Sequence, residues 1–318
     1  MAIANVKKGL APGQEATQKK GWFHAHKWLV LRRLSQFGIL ALFLFSPWIA
    51  EKTGIWLVKG NLASSLTLDI LPLSDPYVLI QSLLTGSIPV FTGILGALIV
   101  AIFYFFVGGR VYCSWVCPIN IVTDIAAWLR LKLGIKGTGK ISRKTRFWAL
   151  GFTLILALIT GSIAWELINP ISMVFRGLTF GMGFAWGVVL AIFLLDFSIS
   201  HRAWCGSLCP VGAFYSLLGA QSVIRINAYQ REKCDDCMDC FLVCPEQQII
   251  RNPLNGASKG FHSMITSSQC TNCGRCIDVC TEDVFRFETR IPFKKITTLQ
   301  SGNNSKELTR LQRFSHEK

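Results

Sequence analysis

Residues Cys234–Pro245 read CDDCMDCFLVCP, and residues Cys270–Thr281 read CTNCGRCIDVCT. Both runs have the cysteine spacing x2-x2-x3, and the second begins 36 residues after the first. Three cysteines at two-residue intervals wrap a tight loop around one face of an iron–sulfur cubane, and the fourth begins a short helix directed to a second cubane. The two runs decide the fold of the C-terminal part, because they predict a small α+β domain built around two clusters.

This spacing is that of bacterial two-cluster ferredoxins, in which the fourth cysteine of each run binds the cluster of the other run. Two structural zinc sites of four thiolates each are the alternative, and the exact repetition of the spacing disfavours it. Thr281 replaces the usual proline, and residues 245–269 are long for a minimal ferredoxin, so we expect an extra loop there. The expected ligands are Cys234, Cys237, Cys240 and Cys280 for one [4Fe–4S] cluster, and Cys270, Cys273, Cys276 and Cys244 for the second.

Composition indicates that the rest of the chain lies in a membrane. Of the 318 residues, 51% are hydrophobic and only 16% are charged, whereas soluble domains carry about 25% charged residues. The net charge of +15 favours basic cytoplasmic loops over a nucleic-acid surface in so apolar a chain. All 12 cysteines fall in four short motifs, which excludes the disulfide framework of a small secreted protein and indicates a reducing compartment.

Four apolar stretches are long enough to cross a bilayer, which takes about 20 residues. Lys and Arg concentrate before the first stretch and between the second and third, so we expect both termini in the cytoplasm of a bacterial inner membrane. The predicted transmembrane helices, two duplicated pairs, are 29–50, 88–107, 147–168 and 180–199. The expected domains are a basic cytoplasmic tail (1–28), a four-helix membrane domain (29–220), a cytoplasmic ferredoxin-like domain (221–290) and a flexible C-terminal tail (291–318).

Two further cysteine motifs follow the second and fourth stretches. Residues 110–118 read RVYCSWVCP and residues 202–210 read RAWCGSLCP, 92 residues apart. The likeness indicates a duplicated unit with both motifs facing each other at the cytoplasmic interface. Their cysteines can ligate a further cluster or metal, form a reversible dithiol, line a quinone pocket, or simply be packed. The residues concerned are Cys113, Cys117, Cys205 and Cys209.

Asp196 lies late in the fourth stretch, and an acid within a membrane is a candidate functional residue by default. With His201 it can accept protons from a quinol. The alternative, which we rate higher, is an ion pair with Arg110 or Arg202 at a helix end.

Three stretches resemble the NapH/MauN family of ferredoxin-type quinol dehydrogenase membrane components. They are residues 109–118 (GRVYCSWVCP), 204–215 (WCGSLCPVGAFY) and 270–287. The resemblance implies oxidation of membrane quinol together with the periplasmic iron–sulfur protein NapG. Electrons would then pass to c-type cytochromes and a periplasmic nitrate reductase. It also implies that the eight ferredoxin cysteines are ligands and that the four C-x3-C-P cysteines form a functional site.

Two other kinds of protein share parts of this pattern. A metal reductase or cofactor-assembly factor of the CcoG type would carry an added C-terminal β domain, and the 38 residues after Cys280 are too few for one. A NosR-like regulatory electron donor would need a large flavin-bearing domain, for which the loop 51–87 is too short. Both remain alternatives as functional analogues, since fold does not fix function.

Overall fold

The computed structural model describes residues 11–135, 139 and 141–290, and the chain is mostly helical. The predicted C-terminal tail (291–318) lies outside the described residues. The first half of the helical part comprises α1 (Gln14–Lys20), α2 (Trp22–Ala25), α3 (Lys27–Thr53), β1 (Val58–Gly60), β2 (Ser64–Thr67), β3 (Leu71–Ser74), α4 (Pro76–Leu84), α5 (Phe91–Val107), α6 (Val111–Trp115) and α7 (Ile119–Lys132). The second half comprises α8 (Thr145–Thr160), α9 (Ala164–Ile168), α10 (Pro170–Phe180), α11 (Gly183–Ser198), a π-helical turn (Trp204–Leu208) and α12 (Pro210–Leu218).

In each half, the segment between the two long helices folds back into the interior of the helical part. In the first half the antiparallel sheet β1-β2-β3 returns beside α3, where the buried Ser46 hydroxyl donates to the Val58 carbonyl at 2.7 Å and accepts from its amide at 2.8 Å. In the second half the return is α9, whose Trp165 is 2% exposed. The predicted pairs of long helices are therefore interrupted by segments that end deep inside the fold.

A short helix begins at the inner end of each returning segment. Asp75 caps α4 by accepting from the Tyr77 amide, and Asn169 caps α10 by accepting from the Ile171 amide. Each cap is followed by a proline at the first helical position, a residue whose fixed φ suits that place and whose missing N–H costs nothing there. The repeat seen in the cysteine motifs thus extends back to these two caps.

The long helices carry apolar side chains on their outer surface, for example Trp148, which is 80% exposed. One helix, α3 with 27 residues, is long and apolar enough to cross a membrane by length and composition. The helices α5, α8 and α11 are apolar but have only 16 or 17 residues, about 25 Å against a hydrocarbon core of about 30 Å. Four transmembrane helices are therefore not confirmed, because the apolar stretches run on past the helix ends into turns such as Gly161, where φ is +60°.

The sequence predicts a tail over residues 1–28, but from residue 11 onward the basic segment is a docked helix. Helix α1 packs on the C-terminal part: its Ala16 is fully buried, Lys19 pairs with Glu282 at 2.6 Å, and Lys20 pairs with Asp283. The lysines of α1 pair with acidic residues that follow Cys280. The sequence of the N-terminal segment alone does not predict this docking, because these partners lie at the other end of the chain.

The C-terminal part is a small α+β unit. Its strands β4 (Ile224–Asn227) and β5 (Arg286–Thr289) pair antiparallel, so that the two ends of the unit close on each other. Between them lie α13 (Asp239–Val243), α14 (Arg251–Asn255) and α15 (Arg275–Asp278). The long segment between the cysteine runs contains α14 and short 3₁₀ turns, in place of the extra loop we expected.

Candidate functional site

The first cavity of the C-terminal part collects cysteines from both runs. Three come from the second run and one, Cys244, from the first, around about 340 Å³ of empty space with apolar walls that include Ile226 and Ile250. This is the crossover that the spacing predicts, and ligation itself stays a prediction. The cysteines at this cavity are Cys244, Cys270, Cys273 and Cys276.

The second cavity resembles the first in size and in its number of cysteines. Its empty volume is about 350 Å³, and its walls include Phe241, Leu254 and Phe285. Helices α13 and α15, each carrying the third cysteine of its run, pack against each other between the two cavities. The cysteines at this cavity are Cys234, Cys237, Cys240 and Cys280.

Local backbone geometry explains why these runs form cradles. Asp236 and Asn272 occupy the same place in the two runs, and each has a positive φ, as do Met238 and Gly274 two residues later. Left-handed residues turn successive amides toward one side, which makes an anion-binding concavity. The amides of Asp236 and Asn272 point to the sulfurs of the cysteines two residues earlier. Asp, Asn and Gly favour this conformation, and Met does not.

A third cavity lies in the helical part, about 390 Å³ in empty volume, and its walls come from the two C-x3-C-P motifs. All four candidate cysteines line it, so the structure brings the two distant motifs together around one space. The other walls are aromatic and aliphatic, and they include Trp165 and Ile171 from the returning segment of the second half. The four cysteines are Cys113, Cys117, Cys205 and Cys209.

Arg110 connects the third cavity to the first. Its Nη2 donates to the carbonyl of Cys205 at 3.0 Å, and its Nη1 donates to the Gln269 carbonyl at 3.0 Å and to Glu246 Oε1 at 2.5 Å. Gln269 immediately precedes Cys270, and Glu246 lines the first cavity. One guanidinium therefore contacts the walls of both cavities.

Glu246 is the buried anion that joins the two parts of the molecule. It is 1% exposed and pairs with Arg110, with Arg146 at 3.0 Å and with Arg143 at 3.1 Å. Burial by itself would raise the pKa of Glu246, but the three guanidiniums hold this pKa below its ordinary value. The carboxylate is thus charged, and it ties the first cysteine run to α8 and to the first C-x3-C-P motif.

Asp124 on α7 is a second such anion. Burial would raise its pKa, but four arginines hold this pKa well below the ordinary range. These arginines come from three separate regions, which are helix α3, the second C-x3-C-P motif and the second cysteine run. They are Arg32, Arg33, Arg202 and Arg275.

The C-terminal part also holds the start of α3. Asp278 on α15 accepts from the amides of Trp28 and Leu29 at 3.1 and 2.9 Å. These amides belong to the first turn of α3, which leaves its amides without partners inside the helix. Three carboxylates, on Glu246, Asp124 and Asp278, therefore fix the C-terminal part to the helical part.

The buried arginines have more donors than partners. Among the described residues, Nε of Arg110 and both Nε and Nη2 of Arg146 are buried without a hydrogen-bond partner, as is Nη1 of Arg275. Three guanidiniums face one carboxylate at Glu246, and four face one at Asp124. Clusters held by four thiolates are anionic, so this surplus of buried positive charge fits clusters in the cavities.

Asp196 has a structural contact. Its Oδ1 accepts from the Trp204 amide at 2.8 Å, which fixes the π-helical turn of the second motif, and a π-helical turn often marks a functional site. Arg130 donates to the backbone carbonyl of Asp196 at 3.3 Å. The side chain does not line the third cavity, and the proton-accepting role stays a prediction.

Sequence reasoning missed Asp124 and Glu246 altogether. A signal was present, because Asp124 is the one acidic residue between Asp75 and Glu166 in a strongly basic stretch. Glu246 follows Cys244 by two residues in a chain with few acids. A buried positive cluster needs a counter-charge, so such isolated acids are the first candidates.

Comparison with known proteins agrees with this arrangement. A 4Fe-4S binding domain matches residues 89–136 and again 178–227, and a 4Fe-4S dicluster domain matches residues 233–284. The first two matches each contain one C-x3-C-P motif, and the third contains both ferredoxin-type runs. The chain is thus an iron–sulfur protein of the electron-transfer kind.

Named relatives cover nearly the whole chain. The ferredoxin-type protein NapH of Haemophilus influenzae is 48% identical over 87% of this chain and 95% of its own length. NapH of Escherichia coli is 45% identical over 91% and 98%, and the methylamine utilization ferredoxin-type protein MauN of Methylorubrum extorquens is 48% identical over 87% and 94%. No solved structure matches the chain. At this identity and coverage, the chain belongs to the NapH/MauN family of ferredoxin-type proteins.

Proposed function

We propose that this chain is the membrane component of a quinol dehydrogenase. It oxidises quinol and passes the electrons through iron–sulfur clusters toward a periplasmic reductase chain. Nitrate reductase is our first candidate for the terminal enzyme of that chain. The observation that carries the proposal is the contact that Arg110 and Glu246 make between an apolar helical domain and the C-terminal domain, which holds two four-cysteine cavities. Such a contact suits electron transfer between a lipid-soluble donor and clusters in a domain outside the lipid.

The proposed topology has four membrane crossings. They are α3, α5, α8 and α11, with the flanking apolar turns completing the shorter three. The basic flanks support a cytoplasmic position for the C-terminal domain. The apolar side chains on the outer surface of these helices would face lipid, whereas Glu246 and Asp124 lie where the C-terminal domain meets the helices.

The chain's own residues have defined tasks in this proposal. The clusters, when bound, supply one-electron transfer. The cysteines hold them, the apolar walls exclude water, and the buried arginines favour the added negative charge of a reduced cluster. Glu246 and Asp124 keep the arginines in place and keep the C-terminal domain against the helices.

The family relationship supports a choice of partners. We propose that a periplasmic iron–sulfur protein of the NapG type and c-type cytochromes receive the electrons. Relatives named MauN belong to methylamine utilization, so the terminal system can differ between members. The assembly-factor and regulator alternatives gain no specific support from the described residues.

Quinol reduction of the clusters tests the proposal directly. The full-length protein is purified anaerobically in lipid nanodiscs and mixed with a reduced short-chain quinol analogue, with dithionite as the positive control and the oxidised analogue as the negative control. We expect EPR signals of reduced clusters with the quinol analogue. Clusters that dithionite reduces and quinol does not would overturn the quinol dehydrogenase assignment.

A second test addresses the terminal acceptor. In a strain without other quinol dehydrogenases for the same pathway, deletion of this chain should abolish quinol-dependent periplasmic nitrate reduction. Unchanged nitrate reduction in that strain excludes nitrate reductase as the acceptor, and leaves the first test to decide on quinol.

A further inference from the structure

We propose that the third cavity binds a single additional [4Fe–4S] cluster, shared between the two halves of the helical domain, with Cys113, Cys117, Cys205 and Cys209 as its ligands. The proposal concerns the occupant of this cavity and holds whether or not quinol is the electron donor. It would make the chain a three-cluster protein.

The size of the cavity and the origin of its walls are the first argument. Its empty volume of about 390 Å³ is close to the 340 and 350 Å³ of the two ferredoxin-type cavities, and like them it presents four cysteines. The likeness in size and in number of cysteines to the two ferredoxin-type cavities favours the same kind of occupant, a cubane.

The pseudo-symmetry of the walls is the second argument. Each half contributes an aromatic residue, two cysteines and the residue that follows the proline of its motif. The aromatic residues are Tyr112 and Trp204, and the residues after the prolines are Ile119 and Val211. Each match to the 4Fe-4S binding domain contains only two cysteines, which are too few for one cubane. Both halves are needed for four ligands, so the duplication produces one site and not two.

Backbone amides close to two of the sulfurs are the third argument. The amides of Ile119 and Asn120 point to the Cys117 sulfur, and those of Val211 and Gly212 point to the Cys209 sulfur. In the ferredoxin-type runs an amide two residues later does the same. Both Cys117 and Cys209 precede the proline at a helix start, where the first amides of the helix have no partner inside it.

Position in the molecule is the fourth argument. Arg110 lies against the Cys113 thiol and contacts the walls of both the third and the first cavity. The three cavities therefore follow one another from the helical domain to the second ferredoxin-type cavity. On the far side, Tyr112 stacks on Tyr215 with ring centroids 4.9 Å apart, and Tyr215 donates to Asp75 at 3.2 Å. The site thus lies between the C-terminal domain and the inner end of the first returning segment.

Iron and acid-labile sulfide per chain test the proposal, on full-length protein purified anaerobically before and after reconstitution with iron and sulfide. We expect about 12 Fe for the wild type, four for each cubane. Cys117→Ala and Cys209→Ala, one from each half, should each leave about eight. The double variant should also leave about eight, because one shared cluster can be lost only once. Ser198→Ala, on the exposed end of α11, is the matched control and should keep about 12.

The wild-type count decides even if the variants fold poorly. Eight Fe after reconstitution, with or without one zinc, overturns the third cluster, and so do 12 Fe that survive Cys117→Ala. A double variant that loses more iron than either single variant overturns the shared site. Spin quantitation by EPR after dithionite gives an independent count of reducible clusters. Quinol reduction of an eight-iron protein would leave the proposed function intact while this inference fails.

Discussion

The C-terminal domain and the helical domain both build four-cysteine cavities, but they do so in different ways. In the C-terminal domain each cavity takes three cysteines from one contiguous run and a fourth from the run 36 residues away. In the helical domain two cysteines come from each of two motifs 92 residues apart. The comparison teaches that a short run forms its cradle locally, whereas a divided site exists only if the two halves pack correctly.

The largest expected effect concerns the crossover of ligands in the C-terminal domain. Cys244→Ala and Cys273→Ala should each remove about four Fe and leave the same remaining cluster, because both residues line the first cavity. Cys234→Ala should leave the other one. Redox titration followed by EPR distinguishes the two remaining clusters. If Cys244→Ala instead resembles Cys234→Ala, each run serves its own cluster and the crossover is wrong.

The next effect concerns the contact that makes the two domains one unit. Glu246→Gln should lower the free energy of unfolding by about 3–5 kcal/mol, because it leaves buried arginines without their counter-charge. Asp69→Asn removes an exposed pair with Lys59 and should cost no more than about 1 kcal/mol. The stability of both variants is measured by thermal unfolding and by limited proteolysis between residues 210 and 235. Equal shifts would show that the Glu246 contact contributes little to the joining of the domains.

Asp124→Asn should have a somewhat smaller effect of the same kind, about 3 kcal/mol, since Asp124 is 12% exposed against 1% for Glu246. The pKa of Asp124 is lowered on folding, so its contribution is present above the unfolded pKa of about 3.9 and is lost as the pH falls below it. The difference in stability between the wild type and the variant should therefore be constant near pH 7 and shrink below about pH 4. A difference that does not change over that range would contradict the charged state of Asp124.

The smallest effect concerns the two caps of the returning segments. Asn169→Ala should cost about 1 kcal/mol, the value of a lost helix cap, and Asn169→Ser, which keeps a capping oxygen without placing a charge beside Glu166, should recover part of it. Asp75→Ala should cost more, because Asp75 also accepts from the Tyr215 hydroxyl. Both are measured by thermal unfolding in nanodiscs. If Asn169→Ser is no more stable than Asn169→Ala, the Asn169 side chain does not act as a cap and the likeness between the two caps is superficial.

The sequence by itself predicted how the cysteines of the C-terminal domain are grouped. The spacing of the cysteine runs predicted which four cysteines meet at each cavity, because three ligands lie within one short loop whose geometry is local. It also predicted the likeness of the two C-x3-C-P motifs and the membership of the family. These inferences need only near neighbours in the chain and composition.

Only the tertiary structure decided the rest. The two C-x3-C-P motifs line one cavity because α5 and α11, with the returning segments, bring together residues far apart in the chain. Asp124 gathers arginines from three regions, and Glu246 gathers them from two, for which no local pattern exists. The basic segment after residue 11 forms a docked helix because its partners, Glu282 and Asp283, lie at the other end of the chain. Charges and cavities of this kind depend on long-range packing, which spacing along the chain does not encode.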